Sequence, residues 1–393
     1  MKHRRLSPAT AAFLLISAFL IPVFLPAPSA LAQTVVATVS LPAGGVPYYA
    51  TYDSAKGEVF VANYGNNTVN VISDSTNPPS VVATVNVGAL AWGAAYDSAK
   101  GEVFVTNNGG NTVSVISDAT NTVAATVSVG ASPQGVAYDS AKGEVFVANT
   151  GANTVSVISD STNAVVATVN VGAAPTGVAY DSAKGEVFVP NRSANTVSVI
   201  SDSTNAVVAT VNSGTNPTVA AYDSAKGEVF VANFANDTVS VISDSTNTVV
   251  ATVSVGVNPY GVAYDSAKGE VFVANFGANT VSVISDSTNA VVATVNVGAH
   301  AYGVAYDSAK GEVFVTNRSA NTVSVIADGS STTTATSSST STSGGGGVPE
   351  FPYQLAAATI FTLLLAASYL LLRRRTSNPA QVGESRITDQ SQA

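Results

Sequence analysis

Cysteine is absent from all 393 residues. That excludes disulfides, thiolate metal sites, cysteine nucleophiles and the Cys-x-x-Cys-His attachment of a c-type haem. Histidine is almost as scarce, since His3 and His300 are the only two. No histidine metal cluster can form, and a Ser-His-Asp system would have to be built around His300 alone. Positive charge is also thin: from Gln33 to Gly329 there are 22 acidic and 9 basic side chains, a net of −13, and Arg192 and Arg318 are the only arginines. Phosphate recognition needs a basic footprint, so nucleic acid is not an expected partner. With no staple, cofactor or metal expected, stability has to come from packing.

What the chain has in excess is repetition. Tyr52-Asp53-Ser54-Ala55-Lys56-Gly57-Glu58-Val59-Phe60-Val61 returns almost letter for letter, with its tyrosine at Tyr96, Tyr138, Tyr180, Tyr222, Tyr264 and Tyr306. The first interval is 44 residues and the other five are 42, the difference lying in the longer loop Asn77-Pro78-Pro79-Ser80. A period near 40 with strand-like content signals a propeller or a solenoid.

One period contains four short apolar stretches. In the third copy they are Gly135 to Tyr138, Glu144 to Ala148, Thr154 to Ile158 and Val165 to Val171. Valine, threonine and aromatic residues in near alternation favour strands, and four strands make one blade. Gly143 stands where a bulged hairpin needs positive φ, and Asp160-Ser161-Thr162-Asn163 is a second turn. The recurring aspartates of both turns, the Asp53 and Asp74 types, are expected to cap their own backbone, and no loop concentrates carboxylates enough for calcium.

The two ends decide between an open stack and a closed ring. The last copy stops after its third strand, at Thr322 to Ile326, while a lone fourth-type strand, Val35 to Val39, precedes the first copy. Pairing the two removes exposed edges, which only a ring allows. The expected fold is therefore all-β, a seven-bladed β-propeller of four-stranded blades closed by the N-terminal strand, spanning residues 33–329.

The flanks read as addressing segments. Residues 1–32 carry a basic start, an apolar run and an Ala30-Leu31-Ala32 site, the pattern of a secretory signal peptide. Residues 330–352 form a Ser/Thr/Gly-rich linker, and 353–375 hold an apolar run ending in Arg373-Arg374-Arg375, the pattern of a transmembrane anchor with residues 376–393 as a cytoplasmic tail. The ring is then expected outside the cell, tethered to its membrane.

The copies, with Glu-Val-Phe-Val-Ala-Asn followed by Asn-Thr-Val-Ser-Val-Ile and Val-Val-Ala-Thr-Val, resemble the YVTN-type β-propeller repeats of archaeal and bacterial surface proteins. Phe-Val-Ala-Asn or Phe-Val-Thr-Asn stands here in place of Tyr-Val-Thr-Asn. The resemblance implies a seven-bladed propeller at the cell surface or in the envelope and carries no catalytic residues. Val348-Pro349-Glu350-Phe351 resembles an archaeal Pro-Glu-Phe sorting signal, which an archaeosortase processes. Pro352 and the eighteen residues after Arg375 depart from that pattern and favour a retained anchor.

Because the copies are so alike, the positions that differ are informative. In a four-stranded blade the loop between strands two and three and the loop leading to the next blade share one face. Four residues before each repeat tyrosine the series runs Tyr48, Trp92, Gln134, Thr176, Thr218, Tyr260, Tyr302. Ring closure places Tyr260, Tyr302, Tyr48 and Trp92 side by side, with Gln134, Thr176 and Thr218 forming a polar arc. The other loop contributes Tyr64, Asn108, Thr150, Arg192, Phe234, Phe276 and Arg318. Exposed aromatics beside amide and guanidinium donors suit a glycan or peptide ligand, whereas aromatics that merely fill the channel mouth are the structural alternative. Asn66, Asn191, Asn236 and Asn317 begin Asn-x-Ser/Thr triplets, acceptors for glycosylation in an exported protein. The expected function is non-enzymatic binding of a glycan, peptide or neighbouring surface protein by Tyr48, Trp92, Gln134, Arg192, Tyr260, His300, Tyr302 and Arg318. A structural envelope component without soluble ligand, and a propeller lyase or lactonase using His300 with nearby acids, are the alternatives.

Overall fold

The computed structural model describes residues 33–328; the leader, linker, membrane-spanning segment and tail expected at 1–32, 330–352, 353–375 and 376–393 lie outside the described residues. Among the described residues there are 28 strands in seven four-stranded antiparallel sheets and no helix. The fold is the all-β, seven-bladed propeller that the repeat predicts. In the third blade the strands run Pro133–Asp139, Glu144–Asn149, Thr154–Ser159 and Ala164–Asn170, from the central channel outward.

The burial pattern follows from position in the blade. Second strands are largely apolar on both faces, third strands set Val155 and Val157 on one face and Thr154, Ser156 and Ile158 on the other, and both are almost wholly buried, because each sheet is covered by a neighbour on either side. The core is accordingly divided into wedges between blades. Phe146, Val155 and Val157 of the third blade pack on Val187, Val189 and Ile200 of the fourth. Each second strand supplies one fully buried phenylalanine of this kind, and truncating one to alanine is worth about 3–5 kcal/mol. Outer strands keep the predicted alternation with one interruption: a bulge at Val166, opposite Val157 and Ile158, leaves Val165 and Val166 both exposed while Val169 stays buried.

Closure occurs as the ends of the sequence imply. Strand Thr34–Ser40 pairs antiparallel with Thr322–Ala327, with Val39 opposite Val323, and completes the last blade. The wedge between last and first blades is built like the others, with Phe314, Val323 and Val325 against Val59, Val61 and Ile72. Asn321 clasps the incoming chain, donating to the carbonyls of Leu41 (3.0 Å) and Pro42 (2.9 Å) and accepting the Val46 amide (3.1 Å).

The turns divide their work differently from expectation. Asp139 caps its own turn, its Oδ1 accepting the Ala141 and Lys142 amides at 2.9 and 3.2 Å, and its counterparts do the same. The Asp74 type does not cap its own backbone. Asp160 instead receives Lys100 of the preceding blade at 3.3 Å, and the same lysine donates to the Asp160 carbonyl. Seven such latches circle the face, and Lys310 to Asp74 (3.6 Å) joins the last blade to the first. Gly143 has φ +65 and its missing Cβ would stand 2.7 Å from Asp160 Oδ2, so the turn requires glycine on two counts.

The buried asparagine of the Phe-Val-Ala-Asn motif is a structural tie. Asn149 Nδ2 donates to Thr154 Oγ1 (3.1 Å) and Ser156 Oγ (2.9 Å), pinning the third strand to the second. On the same face Asn153, in the left-handed region at φ +57, accepts the Ala174 amide of the next blade at 2.8 Å.

Two expected outcomes follow from this construction. Removing residues 33–41 should lower the melting midpoint by at least about 5 °C or drive pairing of rings through the uncovered edge, because it strips the closing strand from the last wedge; an unchanged midpoint with an unchanged oligomeric state contradicts closure. The second concerns pH. Burial raises the carboxyls of Asp74, Asp118 and the glutamates that open the second strands, such as Glu144, above their ordinary range, with the neighbouring lysine only partly opposing it. A carboxyl raised in the folded state contributes stability that is full below its unfolded pKa and is lost as pH rises through the folded one. The ring should therefore melt higher at about pH 5 than at about pH 8, and calorimetry showing the reverse order would refute that assignment.

Candidate functional site

The two variable loop series meet at one end of the channel. Tyr48, Tyr260 and Tyr302 come from inner strands and form a buried cluster, each 3 or 4 % exposed. Tyr260 stacks on Tyr302 at 4.0 Å, Tyr302 lies 4.6 Å from Tyr48, and Tyr48 lies 4.5 Å from Trp92. The aromatic arc is contiguous as predicted, but its tyrosines are not exposed. They close the channel and form a floor, because seven strands converge so tightly that bulky rings fill the space between them. Glycine permits the convergence: a Cβ on Gly303 would stand 2.4 Å from the Tyr48 carbonyl. Beneath the floor Tyr49 occupies the channel, around a residual cavity of about 140 Å³.

Above the floor lies a cavity of about 200 Å³ walled by Trp92, Phe234, Phe276, Arg192 and Arg318. Arg318 sits over the Tyr48 ring at 4.8 Å and Arg192 over Phe234 at 5.5 Å, favourable cation–π placements. Neither arginine belongs to an ion pair among the described residues; all seven pairs there are the lysine latches. Desolvation raises the Tyr48 hydroxyl to about 12 in spite of Arg318, and burial raises Tyr260 and Tyr302 as well. The floor is therefore neutral at physiological pH.

A second, outer cavity of about 500 Å³ adjoins the first through Phe276 and Arg318 and is otherwise lined by Val46, His300, Ser319 and Asn321, with Gly44. His300 is exposed, stacked on Phe276 at 4.4 Å and 10°, with Nδ1 2.5 Å from Ser319 Oγ. It occupies a left-handed position (φ +57) and its amide donates to Asn279 at 2.7 Å. No carboxylate lines either cavity, so the acids that a lyase or lactonase reading sets beside His300 are not among the lining residues.

The polar arc is used internally. Thr176 is buried and donates to the Thr218 carbonyl (2.8 Å), and Thr218 donates to that of Tyr260 (3.1 Å), so both stitch blades together. Gln134 is half-buried and lines neither cavity, its carbonyl accepting Thr106 at 2.7 Å. Of the four triplet asparagines, Asn191 and Asn317 are fully buried with Nδ2 committed to strand-three hydroxyls, which closes them to a glycan in the folded ring. Asn66 is half-buried and Asn236 exposed. Sequence reasoning passed over Ser319 and Val46, whose importance arises only from loops meeting across blades.

No family model matches the chain, and neither does any curated protein sequence. Among solved structures it is similar to "Kuenenia stuttgartiensis Hydrazine Synthase", at 17 % identity and TM-score 0.66, covering 73 % of this chain and 96 % of that one. It is also similar to the WD40 β-propeller domain of Doa1, at 13 % identity and TM-score 0.63, covering 75 % and 96 %. These likenesses establish the propeller fold and nothing finer.

The division between floor and wall is measurable. Tyr302→Ala should cost about 3–5 kcal/mol in urea unfolding, whereas His300→Ala should stay within about 1 kcal/mol; equal losses would show that the floor is not a packed core.

Proposed function

We propose that this chain is a non-enzymatic cell-surface propeller that binds a glycan, a peptide or a neighbouring surface protein through its variable loop face. The fold is commonly a protein-interaction scaffold. The observation that carries the reading is the asymmetry of the ring. The latch face repeats one lysine–aspartate contact seven times, while the substitutions between copies gather on the opposite face and build a concave aromatic and guanidinium site. A rigid ring needs no rearrangement to present such a site, which lowers the ordering cost of binding.

The resemblance to YVTN-type surface repeats, the leader pattern at 1–32 and the apolar run with three arginines at 353–375 support an extracellular, membrane-tethered placement. In that setting Asn66 and Asn236 are the acceptors left open to glycosylation. The test is a glycan and surface-protein binding screen on the full chain in detergent, repeated with Trp92→Ala. Tyr260→Ala is a poorer probe because it removes part of the floor. Binding should fall about tenfold in the Trp92 variant, the loss expected for one stacked aromatic. A parent that binds nothing in the screen, or a variant that binds like the parent, defeats the proposal; self-assembly of the ring into arrays without ligand would favour a structural envelope role.

A further inference from the structure

The charge inventory of the ring is uneven in a way that the binding site inherits. From Gln33 to Gly329 it has nine cationic side chains, of which seven are lysines. Every one of those lysines is committed to an aspartate of the next blade. Arg192 and Arg318 are what remains, and both line the same central cavity.

They reach it from the same loop position in blades four and seven, three steps apart in a ring of seven, and so flank the cavity from opposite sides. Their guanidinium groups have aromatic faces beneath them and no ion-pair partner among the described residues. With no acid in the lining, the wall is cationic inside a protein that is otherwise strongly acidic. Such an arrangement leaves planar N–H edges for an incoming carboxylate, which guanidinium binds in bidentate fashion.

We propose that the central cavity receives an acidic sugar, a uronic-acid pyranose at the end of a glycan, with its carboxylate held by Arg192 and Arg318 and its ring face on the aromatic wall of Trp92, Phe234 and Phe276. This rests on the binding role proposed above and names the ligand class for it. The cavity of about 200 Å³ is compact and central, suited to one terminal ring rather than to a run of peptide. Neutral tyrosine hydroxyls in the floor leave carboxylate unopposed. The outer cavity, which shares Arg318 and Phe276 with the central one and bears His300, Ser319 and Asn321, gives hydrogen-bonding room for the sugars that follow.

Calorimetric titration of the full-length protein in detergent tests this with an oligosaccharide ending in glucuronic acid, the same oligosaccharide ending in glucose, and triglutamate. The glucuronate-ended probe should bind about tenfold or more tightly than its glucose counterpart, and Arg192→Gln and Arg318→Gln should each erase most of that difference. Added salt should weaken the acidic probe selectively. Both variants keep the floor intact, so their melting midpoints serve as the folding control. Equal affinity for the two sugars, unchanged acid preference in both arginine variants, or a preference for triglutamate would each overturn the inference. Trp92-dependent binding of the glucose-ended probe with no acid preference would overturn it while leaving the broader binding role standing.

Discussion

A blade of four strands has two apolar faces and can bury both only against two other blades. That constraint governs the molecule. An internal copy satisfies it automatically, but the first and last copies satisfy it only by meeting each other, and the chain supplies three independent means for that meeting. The strand Thr34–Ser40 completes the last sheet, Lys310 reaches Asp74, and Asn321 holds the loop that enters the first blade. Each is the ordinary inter-blade or intra-blade contact of the repeat, used once more across the join.

This explains why one face of the ring is nearly invariant. A latch aspartate touches the glycine of the other turn on its blade, a tyrosine of its own blade and a lysine of the preceding one, as Asp160 does with Gly143, Tyr138 and Lys100. Changing any member disturbs two blades. The opposite face is tied by backbone-directed contacts instead, in which Asn153 or its counterpart accepts an amide, whatever side chain that amide belongs to. Ala174, Ser132 and His300 all fill that position, so the loops there diversify without loosening the ring.

Much of the fold was legible in the letters, because a near-perfect repeat multiplies a weak strand signal sevenfold and because a missing strand at one end matched a spare one at the other. The roles of the turn aspartates were only half legible. Asp139 caps locally, which spacing reveals, but the partner of Asp160 lies sixty residues earlier in the chain. The site was read in order but not in depth: the loop series correctly set Tyr48, Trp92, Tyr260 and Tyr302 side by side, while their burial depends on how closely seven inner strands approach. Nor does an Asn-x-Ser triplet disclose that Asn191 is the last residue of a buried strand.

The same closeness accounts for the chemistry left at the surface. Once the tyrosines are consumed in closing the channel, the side chains that project beyond them are Trp92 of an inner strand and the loop residues Phe234, Phe276 and the two arginines. A wider channel would have left the tyrosines free and the arginines at a rim. In this ring the packing demand at the centre lifts the polar groups onto an apolar floor, where low local dielectric strengthens a charged contact and the aromatic faces hold each guanidinium in place. Structural closure and the capacity for recognition are thus produced by one event, the convergence of seven strands on a space filled chiefly by tyrosine rings.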